Sequence, residues 1–475
     1  MTVPRQVSHW VGNATLHNRA NSVLVNTDPR TGEPTSAVAL GGAVDVDAAV
    51  ASARLAQRGW ASRPPVDRGR MLAAIGVAIR ERRDEFVELE CAETGKLDGE
   101  GRTSIETAAD YFEYYAGIVR AHFGETIDLG SGEHAFTRNE PWGVVGMITP
   151  WNGPLSQAAR GIAPALAVGN TVVIKPSEFT PSTTVLLARL ASTLGLPPGV
   201  LNVVTGEGGD VGSRLVAHPD VRMIAFTGSV ASGRVVARAA GDRLVPVTLE
   251  LGGKSPNIVF ADADMERAAT GAATVCVAAG QQCAALSRLL VEASIYEPFL
   301  AAVAERVAAR VPGAGLGPLT TRAQHEKVIG YFAAAREDGA RLVTGGRAAE
   351  EGALARGRYV HPTVYADVTP QMRIFREEIF GPVLAVSRFD GEDEAVALAN
   401  DSDFGLVAAV WTSDSARALR VAGRLEAGQV IVNGGAAGIE TPFGGYKCSG
   451  IGREKGFAAL STYTQLKTTV VSLAP

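Results

Sequence analysis

Val144-Val-Gly-Met-Ile-Thr149 opens the most informative part of the sequence, an apolar, β-branched run typical of a strand buried on both faces. Three similar runs follow: Thr171-Val-Val-Ile-Lys175, Val200-Leu-Asn-Val-Val204 and Met223-Ile-Ala-Phe-Thr227. Helix-forming segments lie between them, for example at 182–194 and 208–218. This alternation predicts an α/β fold with a parallel, doubly wound sheet, which binds ligands at the carboxyl ends of its strands.

The flanking segments extend the pattern in both directions. Residues 45–61 and 71–94 carry apolar residues at helical spacing. Runs at 285–291, 407–411 and 429–432, with a helix near 296–310, predict a second α/β domain. Two strand-like segments, 125–139 and 462–473, fit neither domain. Because exposed strands need a partner, we expect these two segments to serve subunit association.

Composition and charge narrow the class of protein. The 475 residues are 46% hydrophobic and 20% charged, as in a globular protein. The net charge of −5 and the absence of a basic block predict no nucleic-acid or membrane partner. The chain has four cysteines and no CxxC pair, so neither a disulfide scaffold nor a metal site is predicted. The first residues do not resemble a signal peptide, and we expect a cytoplasmic protein.

Three motifs follow the predicted strands of the first sheet. Thr149-Pro-Trp-Asn-Gly-Pro154 contains Asn152, which either forms part of a turn or takes part in catalysis. In Lys175-Pro-Ser-Glu178 the charged side chains of Lys175 and Glu178 are either solvated or in contact with a ribose. Phe226-Thr-Gly-Ser-Val-Ala-Ser-Gly233 places Gly228 and Ser229 at a helix N-terminus, which suits a phosphate, although Gly228 also suits a plain tight turn.

Four more motifs follow in the second half of the sequence. They are Glu250-Leu-Gly-Gly-Lys254, Gly280-Gln-Gln-Cys283, Glu377-Glu-Ile-Phe-Gly-Pro382 and Pro442-Phe-Gly-Gly-Tyr-Lys-Cys-Ser-Gly450, the last followed by Gly452-Arg-Glu454. A free Cys is often a small buried hydrophobe, a role that fits Cys276 between two valines better than Cys283. Together and in this order, the motifs resemble the aldehyde dehydrogenase superfamily from about Asp45 to Thr468.

The resemblance implies a cofactor domain of Rossmann type at 1–124 and 142–251 and a catalytic domain at 252–458. Small β segments at 125–141 and 459–475 would join subunits into a homodimer or homotetramer. It also implies three catalytic residues. Cys283 would carry a thiohemiacetal and then a thioester, and Asn152 would hold the oxyanion together with the Cys283 backbone N–H. Glu250 would activate water.

The same resemblance implies an NAD site. Its residues would be Thr149, Trp151, Lys175, Ser177, Glu178, Gly208, Gly212, Phe226, Thr227, Gly228, Ser229, Leu251, Glu378 and Phe380. Lys175 and Glu178 match the contacts to the adenosine ribose, and Glu378 matches the ligand of the nicotinamide ribose. Because the Glu178 carboxylate would repel a 2′-phosphate, we expect NAD to be preferred over NADP.

The chain departs from the family at the substrate side. Gly153 stands where an aromatic residue usually follows the oxyanion Asn, which widens the pocket. Arg160-Gly161 replaces a common Trp-Lys pair whose Lys supports the catalytic Glu. We expect Arg160 to face the substrate entrance and favour a polar, aromatic or carboxylate-bearing aldehyde. The alternative for Arg160 is a salt bridge on a helix face. Val277 stands where semialdehyde dehydrogenases carry a second Arg, which argues against a semialdehyde as the substrate.

Three rival functions remain at this point. A coenzyme A-acylating dehydrogenase is disfavoured because such relatives lack a Glu at the position of Glu250. An esterase that uses the Cys without NAD would leave the predicted cofactor residues idle. A non-catalytic relative is disfavoured by the intact set of Cys283, Glu250, Asn152 and Glu378.

Overall fold

The computed structural model describes residues 4–16, 22–130 and 132–472. Its α-helices are α1 (Ala43–Ala61), α2 (Pro65–Glu81), α3 (Arg83–Thr94), α4 (Asp98–Ile118), α5 (Pro154–Ala167), α6 (Ser182–Thr193), α7 (Ser213–Ala217), α8 (Val230–Asp242), α9 (Met265–Ala272), α10 (Tyr296–Ala308), α11 (Arg322–Glu337), α12 (Arg373–Arg376), α13 (Gly391–Asn400), α14 (Ser415–Ala422) and α15 (Ala458–Thr462). The outermost parts of the predicted terminal segments, 1–3 and 473–475, lie outside the described residues, as do 17–21 and 131.

The strands follow the same chain order. They are β1 (Arg5–Val7), β2 (His9–Val11), β3 (Ala14–Leu16), β4 (Val23–Thr27), β5 (Pro34–Ala39), β6 (Thr126–Asp128), β7 (Glu133–Pro141), β8 (Val144–Ile148), β9 (Thr171–Lys175), β10 (Leu201–Val203), β11 (Val221–Thr227), β12 (Val247–Glu250), β13 (Pro256–Val259), β14 (Arg288–Glu292), β15 (Arg341–Thr344), β16 (Thr363–Ala366), β17 (Val383–Phe389), β18 (Phe404–Gly405), β19 (Val407–Trp411), β20 (Gln429–Val432), β21 (Tyr446–Lys447), β22 (Gly450–Ile451) and β23 (Thr464–Ser472).

The predicted parallel sheet forms the centre of the first half of the chain. Its strand order is β22-β12-β11-β8-β9-β10-β2-β3, and the pairs from β12 to β10 are parallel. The runs are buried as their apolar pattern predicts; β9 is buried along its whole length. Helix α1 packs on one face of this sheet through Val46 and Val50. The predicted α/β class and doubly wound sheet are confirmed.

The helical pattern at 71–94 is divided between two helices in the structure. Helix α2 ends at Glu81 and α3 begins at Arg83, with Arg82 between them at φ −105° and ψ 20°. The break leaves the apolar face of each helix in the same core, since Leu72, Ile79 and Phe86 are all fully buried.

A second sheet forms the centre of the other half. Its order is β15-β16-β17-β14-β13-β19-β20, parallel except for β15. Its core includes an edge-to-face contact between Phe260 and Phe389, with ring centroids 5.3 Å apart. The last motif of the sequence returns to the first sheet, because β22 adds to its edge through Gly450, which pairs with Glu250.

The two segments that fit neither domain pair with each other. Strand β23 runs antiparallel to β7 from Thr464 opposite Pro141 to Ser472 opposite Glu133, and β6 completes a three-stranded sheet. Leu466 and Val470 of β23 are 67% and 57% exposed. Within the described residues, no helix is both long and apolar enough to cross a membrane.

Candidate active site

The strand-end motifs meet at one edge of the first sheet. The parallel registers place Ile148 beside Lys175 and Thr227 beside Glu250. Asn152 lies in the turn between β8 and α5, whose first residue is Pro154. A Pro at the first helical position suits the start of a helix because its missing N–H would lack a partner there. Neighbouring parallel strands therefore bring together motifs that are far apart in the sequence.

A cleft between the two halves gathers all three predicted catalytic residues. We call it the cofactor cleft; it is lined by Pro150, Trp151, Asn152, Gln157, Thr227, Gly228, Ser229, Glu250, Leu251, Gly252, Cys283, Gln324, Lys327, Glu378 and Phe380. Trp151 and Phe380 meet edge to face with ring centroids 5.4 Å apart. The cleft thus combines residues of both halves, including Cys283, Glu250 and Asn152.

The remaining predicted cofactor residues lie at the neighbouring strand ends rather than in the cleft wall. Lys175 Nζ contacts Glu178 Oε2 at 3.0 Å and donates to the Pro176 carbonyl at 3.0 Å. Burial lowers the pKa of Lys175, and the charge of Glu178 opposes that effect. A Cβ on Gly212 would lie 3.7 Å from Lys175 Cδ, which places the turn Gly208–Gly212 against this lysine.

Three further residues of this set have structural partners around the strand ends. The Thr149 N–H donates to the Lys175 carbonyl at 3.1 Å. Ser177 Oγ accepts the Phe179 N–H at 3.3 Å. The Phe226 ring covers Gly228, where a Cβ would lie 2.7 Å from Phe226 Cζ.

Helix α8 begins at the edge of the cofactor cleft. Ser229 caps it by accepting the Ser232 N–H at 3.2 Å, and Gly228 donates its N–H to the Glu250 carbonyl at 3.0 Å. A helix N-terminus has unpaired N–H groups and a partial positive charge, which suits an anion. Gly233 allows Leu251 to pack on α8, because a Cβ there would lie 2.5 Å from Leu251 Cδ2.

Cys283 lies at the end of a turn that brings it against both domains. Gly280 adopts a φ of +72°, and a Cβ there would lie 2.1 Å from the Gly381 carbonyl oxygen, so only glycine fits. The Cys283 side chain is half-buried. Burial raises the pKa of the Cys283 thiol to about 11, and the charge of Arg160 opposes that effect. The thiol is therefore protonated at neutral pH before a reaction begins.

Asn152 is oriented toward this turn. One N–H of its side-chain amide donates to the Gln281 carbonyl at 2.8 Å. An amide nitrogen carries two N–H donors, so the second remains for another acceptor. The side chain lines the cofactor cleft together with Cys283.

Glu250 is a buried carboxyl group at the end of β12. It is 2% exposed, and neither carboxyl oxygen accepts a hydrogen bond from any residue that the structure describes. Burial raises the pKa of Glu250 well above its ordinary value; the charge of Glu454 raises it further, and those of Arg160 and Arg453 oppose this. Such a carboxyl group accepts a proton readily near neutral pH.

Glu378 reaches the glycines of the Glu250-Leu-Gly-Gly-Lys254 motif. Its Oε1 accepts the Gly253 N–H at 3.0 Å. A Cβ on Gly252 would lie only 2.3 Å from Glu378 Oε2, and a Cβ on Gly253 would lie 2.5 Å from the Cys283 carbonyl oxygen. The paired glycines are therefore required because two functional segments approach this backbone closely.

The position of Arg160 differs from the expectation. Its side chain is 7% exposed and forms an ion pair with Glu454 through Nε and Oε2. It also donates to Thr227 Oγ1 at 3.2 Å and lies over the Phe443 ring. Arg160 does not face a substrate entrance, because α5 turns it inward to Glu454. The contacts of Arg160 match the alternative expectation of a salt bridge, and the pair is buried.

A second cavity, which we call the entrance cavity, adjoins the cofactor cleft. It is lined by Lys96, Gly99, Glu100, Thr103, Ser104, Thr107, Asn152, Gly153, Ser156, Gln157, Val277, Ala278, Gln282, Cys283 and Ala284. Asn152, Gln157 and Cys283 line both cavities. Gly153 lines the entrance cavity, as expected for a residue whose missing side chain widens the pocket.

Sequence reasoning missed several residues of the site. Gln324 and Lys327, three positions apart on α11, line the cofactor cleft but belong to no recognisable motif. Glu454 stands in a motif that the sequence analysis singled out, but no local pattern indicates that its carboxylate meets Arg160.

Comparison with known proteins agrees with this geometry. Residues 17–469 match the aldehyde dehydrogenase family, and the chain belongs to that family. Betaine aldehyde dehydrogenase from Staphylococcus aureus, solved in complex with NAD+, is 36% identical; the match covers 98% of this chain and 95% of that one, with a TM-score of 0.96. The indole-3-acetaldehyde dehydrogenase of P. syringae is 37% identical, with 99% and 97% coverage and a TM-score of 0.97.

A mutant aldehyde dehydrogenase from Bacillus cereus is similar to the same degree. It is 36% identical, with 99% of this chain and 97% of that chain covered and a TM-score of 0.96. The predicted family and the oxidation of an aldehyde are thereby confirmed.

Proposed function

We propose that this protein oxidises an aldehyde to the free carboxylic acid with NAD, using Cys283 as the nucleophile. The observation that carries the proposal is the position of Cys283, which lines the cofactor cleft and the entrance cavity at once. A reacting carbon bound to its sulfur would therefore have the predicted cofactor residues on one side and space for the rest of the aldehyde on the other.

The residues present fit a dinucleotide. The cleft lies at the carboxyl ends of parallel strands and includes Glu378 and the start of α8, while Lys175 and Glu178 stand at the next strand end. When bound, NAD accepts the hydride that leaves the carbonyl carbon of the substrate. The carboxylate of Glu178 favours NAD over NADP because it repels a 2′-phosphate. Relatives of this chain that have been solved with NAD+ support the same choice.

The chain supplies the remaining chemistry. The Cys283 thiol releases its proton to solvent as its sulfur bonds to the carbonyl carbon, and the resulting oxyanion accepts hydrogen bonds from the free N–H of Asn152 and the Cys283 backbone N–H. After hydride departure, the acyl group remains on the sulfur as a thioester. Glu250 then takes a proton from water, the hydroxide attacks the thioester, and the C–S bond breaks to release the acid. Because Glu250 supplies this base, we propose hydrolysis rather than transfer to coenzyme A.

The test measures NADH formation across a panel of aldehydes with the wild type and with Cys283→Ala. We expect turnover by the wild type and none by the variant, while NAD binding, followed by protein fluorescence, is retained in both. Cys276→Ala is a matched control, since Cys276 is buried in the core away from either cavity. Turnover by Cys283→Ala, or equal rates with coenzyme A as acyl acceptor, would contradict the proposal.

We further propose that the protein is a cytoplasmic homodimer or homotetramer associated through the β23-β7-β6 sheet. The exposed apolar residues of β23 support this, because an unpaired strand edge favours pairing with another chain. The free state of all its cysteines suits a reducing compartment. Light scattering should show a smaller particle for Val470→Lys than for the wild type; an unchanged mass would contradict this route of association.

A further inference from the structure

We propose that the entrance cavity selects neutral, hydroxyl-bearing aldehydes by hydrogen bonds from the facing sides of α4 and α5. The inference deepens the proposed function and rests on aldehyde oxidation at Cys283. The cavity is about 520 Å³, and its lining carries serine and threonine hydroxyls and glutamine and asparagine amides but no aromatic ring from the part of the chain that the structure describes. These hydroxyl and amide groups offer hydrogen-bond partners to polar atoms of a substrate, beside the apolar part of the lining.

One face of α4 supplies hydroxyl groups at helical spacing. Thr103 and Thr107 are four residues apart and so lie on the same side of the helix. Thr103 Oγ1 donates to the Gly99 carbonyl at 2.9 Å, and Thr107 Oγ1 donates to the Thr103 carbonyl at 2.8 Å. Since each hydroxyl proton is already used, the oxygen lone pairs remain to accept a hydrogen bond from a substrate hydroxyl.

The first turn of α5 supplies the opposite wall. Ser156 Oγ donates to the Gly153 carbonyl at 3.3 Å and lies 3.3 Å from Ser104 Oγ, which joins the two helices. Gln157 adds an amide that lines both cavities. An apolar substrate would remove water from these groups and return no hydrogen bonds, which is costly. A hydroxyl-bearing substrate would replace the lost water.

The charged residues of the entrance cavity are already engaged. Lys96 Nζ forms an ion pair with Glu90 Oε1 at 2.5 Å. Glu100 accepts the Ala278 N–H at 2.7 Å through one oxygen and the Leu97 N–H at 3.0 Å through the other. Arg160 is paired with Glu454 outside this lining. No lining charge that the structure describes is thus left without a partner for a substrate carboxylate or ammonium group, so the selected aldehyde is neutral.

The experiment compares kcat/KM for propanal, 2-hydroxypropanal and 2,3-dihydroxypropanal, each corrected for its free carbonyl fraction, with benzaldehyde and a carboxylate-bearing aldehyde as further members. We expect a rise of about tenfold or more from propanal to the dihydroxylated aldehyde, since propanal displaces water from the lining hydroxyls and amides without returning a hydrogen bond. Thr107→Val and Thr103→Val should each reduce that ratio without changing the rate for propanal, because both threonines line the entrance cavity but not the cofactor cleft. Thr270→Val is the matched control, because Thr270 makes the same bond to the carbonyl four residues back but lies on α9, outside both cavities.

The outcomes separate the two proposals. A flat ranking, or a preference for benzaldehyde or the carboxylate-bearing aldehyde, would overturn the hydroxyl selectivity and leave the oxidation intact. A ranking that Thr107→Val and Thr103→Val leave unchanged would also overturn it. No turnover of any aldehyde would overturn the proposed function and the selectivity together.

Discussion

Arg160 and Glu454 form an ion pair that is almost completely buried beside the carboxyl group of Glu250. The two charges act on Glu250 in opposite directions: Glu454 raises the pKa of Glu250 and Arg160 lowers it. Arg453 also lowers this pKa, and Cys283 and Tyr463 are further titratable groups within electrostatic reach of Glu250. Burial is the largest cause of the raised pKa of Glu250, and the ion pair adjusts the pH at which the proposed base becomes active.

Substitutions in this pair should shift the acidic limb of the kcat–pH profile in opposite directions. Glu454→Gln removes a negative charge, so Glu250 loses its proton at lower pH and the limb moves to lower pH. Arg160→Gln removes a positive charge, so the limb moves to higher pH.

Arg160→Gln should also destabilise the protein, because it leaves the buried charge of Glu454 unpaired. Such a charge costs about 3–5 kcal/mol of the free energy of unfolding. Arg160→Lys keeps the charge and serves as the control; its profile should stay near that of the wild type. Shifts in the same direction for Glu454→Gln and Arg160→Gln would contradict the electrostatic account.

Glu250→Gln should separate the two halves of the reaction. Without the base, the thioester on Cys283 forms but is hydrolysed slowly, so steady-state turnover falls by about 10²–10⁴-fold. Rapid-mixing measurements should then show a burst of NADH close to one equivalent per Cys283. Loss of the burst as well as of turnover would show that Glu250 is also needed before the thioester forms.

Gly252→Ala should weaken the use of NAD. The new Cβ would lie 2.3 Å from Glu378 Oε2, so the Glu378 side chain must move from its place beside the cofactor cleft. We expect KM for NAD to rise about tenfold, the loss of roughly one hydrogen bond to a charged group. Gly241→Ala is the matched control, because a Cβ on this exposed glycine of α8 meets nothing within 4 Å. Equal KM values for the two variants would contradict the role of this close approach.

Lys254 should make stability depend on pH. It is 1% exposed, its Nζ has no hydrogen-bond partner among the described residues, and burial lowers the pKa of Lys254 from 10.5 to about 7. Between these two values the unfolded chain holds a proton that the folded protein does not, so the free energy of unfolding rises with pH across this window. The slope is at most about 1.4 kcal/mol for each pH unit.

Lys254→Met should remove that contribution and unfold at a higher temperature than the wild type near neutral pH. Thermal unfolding of both proteins across the window measures the difference, with Lys467→Met as a control because Lys467 is 58% exposed. If the melting temperatures of the wild type and of Lys254→Met change in parallel with pH, the Lys254 ammonium stays charged in the folded protein.

Much of the fold could be predicted because its signals are local. The runs that form β8 and β9 are short, apolar and β-branched, and such segments are stable only inside a sheet covered on both faces. The strand-end positions of Asn152 and Glu250 could be predicted for the same reason, since parallel strands present their carboxyl ends at one edge. The division of the 71–94 segment at Arg82 could not, because the helical spacing of its apolar residues continues on both sides.

The sequence by itself determined the two α/β sheets and the family, and it gave the proposed catalytic set of Cys283, Glu250 and Asn152, because strand patterns and motifs consist of residues that are neighbours in the chain. Only the tertiary structure decided which charges meet. Arg160 turns inward to Glu454, which is far from it in the sequence. A charge removed from water needs a partner, and the partner available depends on which distant segments the fold brings together. The pairing of Arg160 with Glu454 keeps the arginine charge out of the entrance cavity.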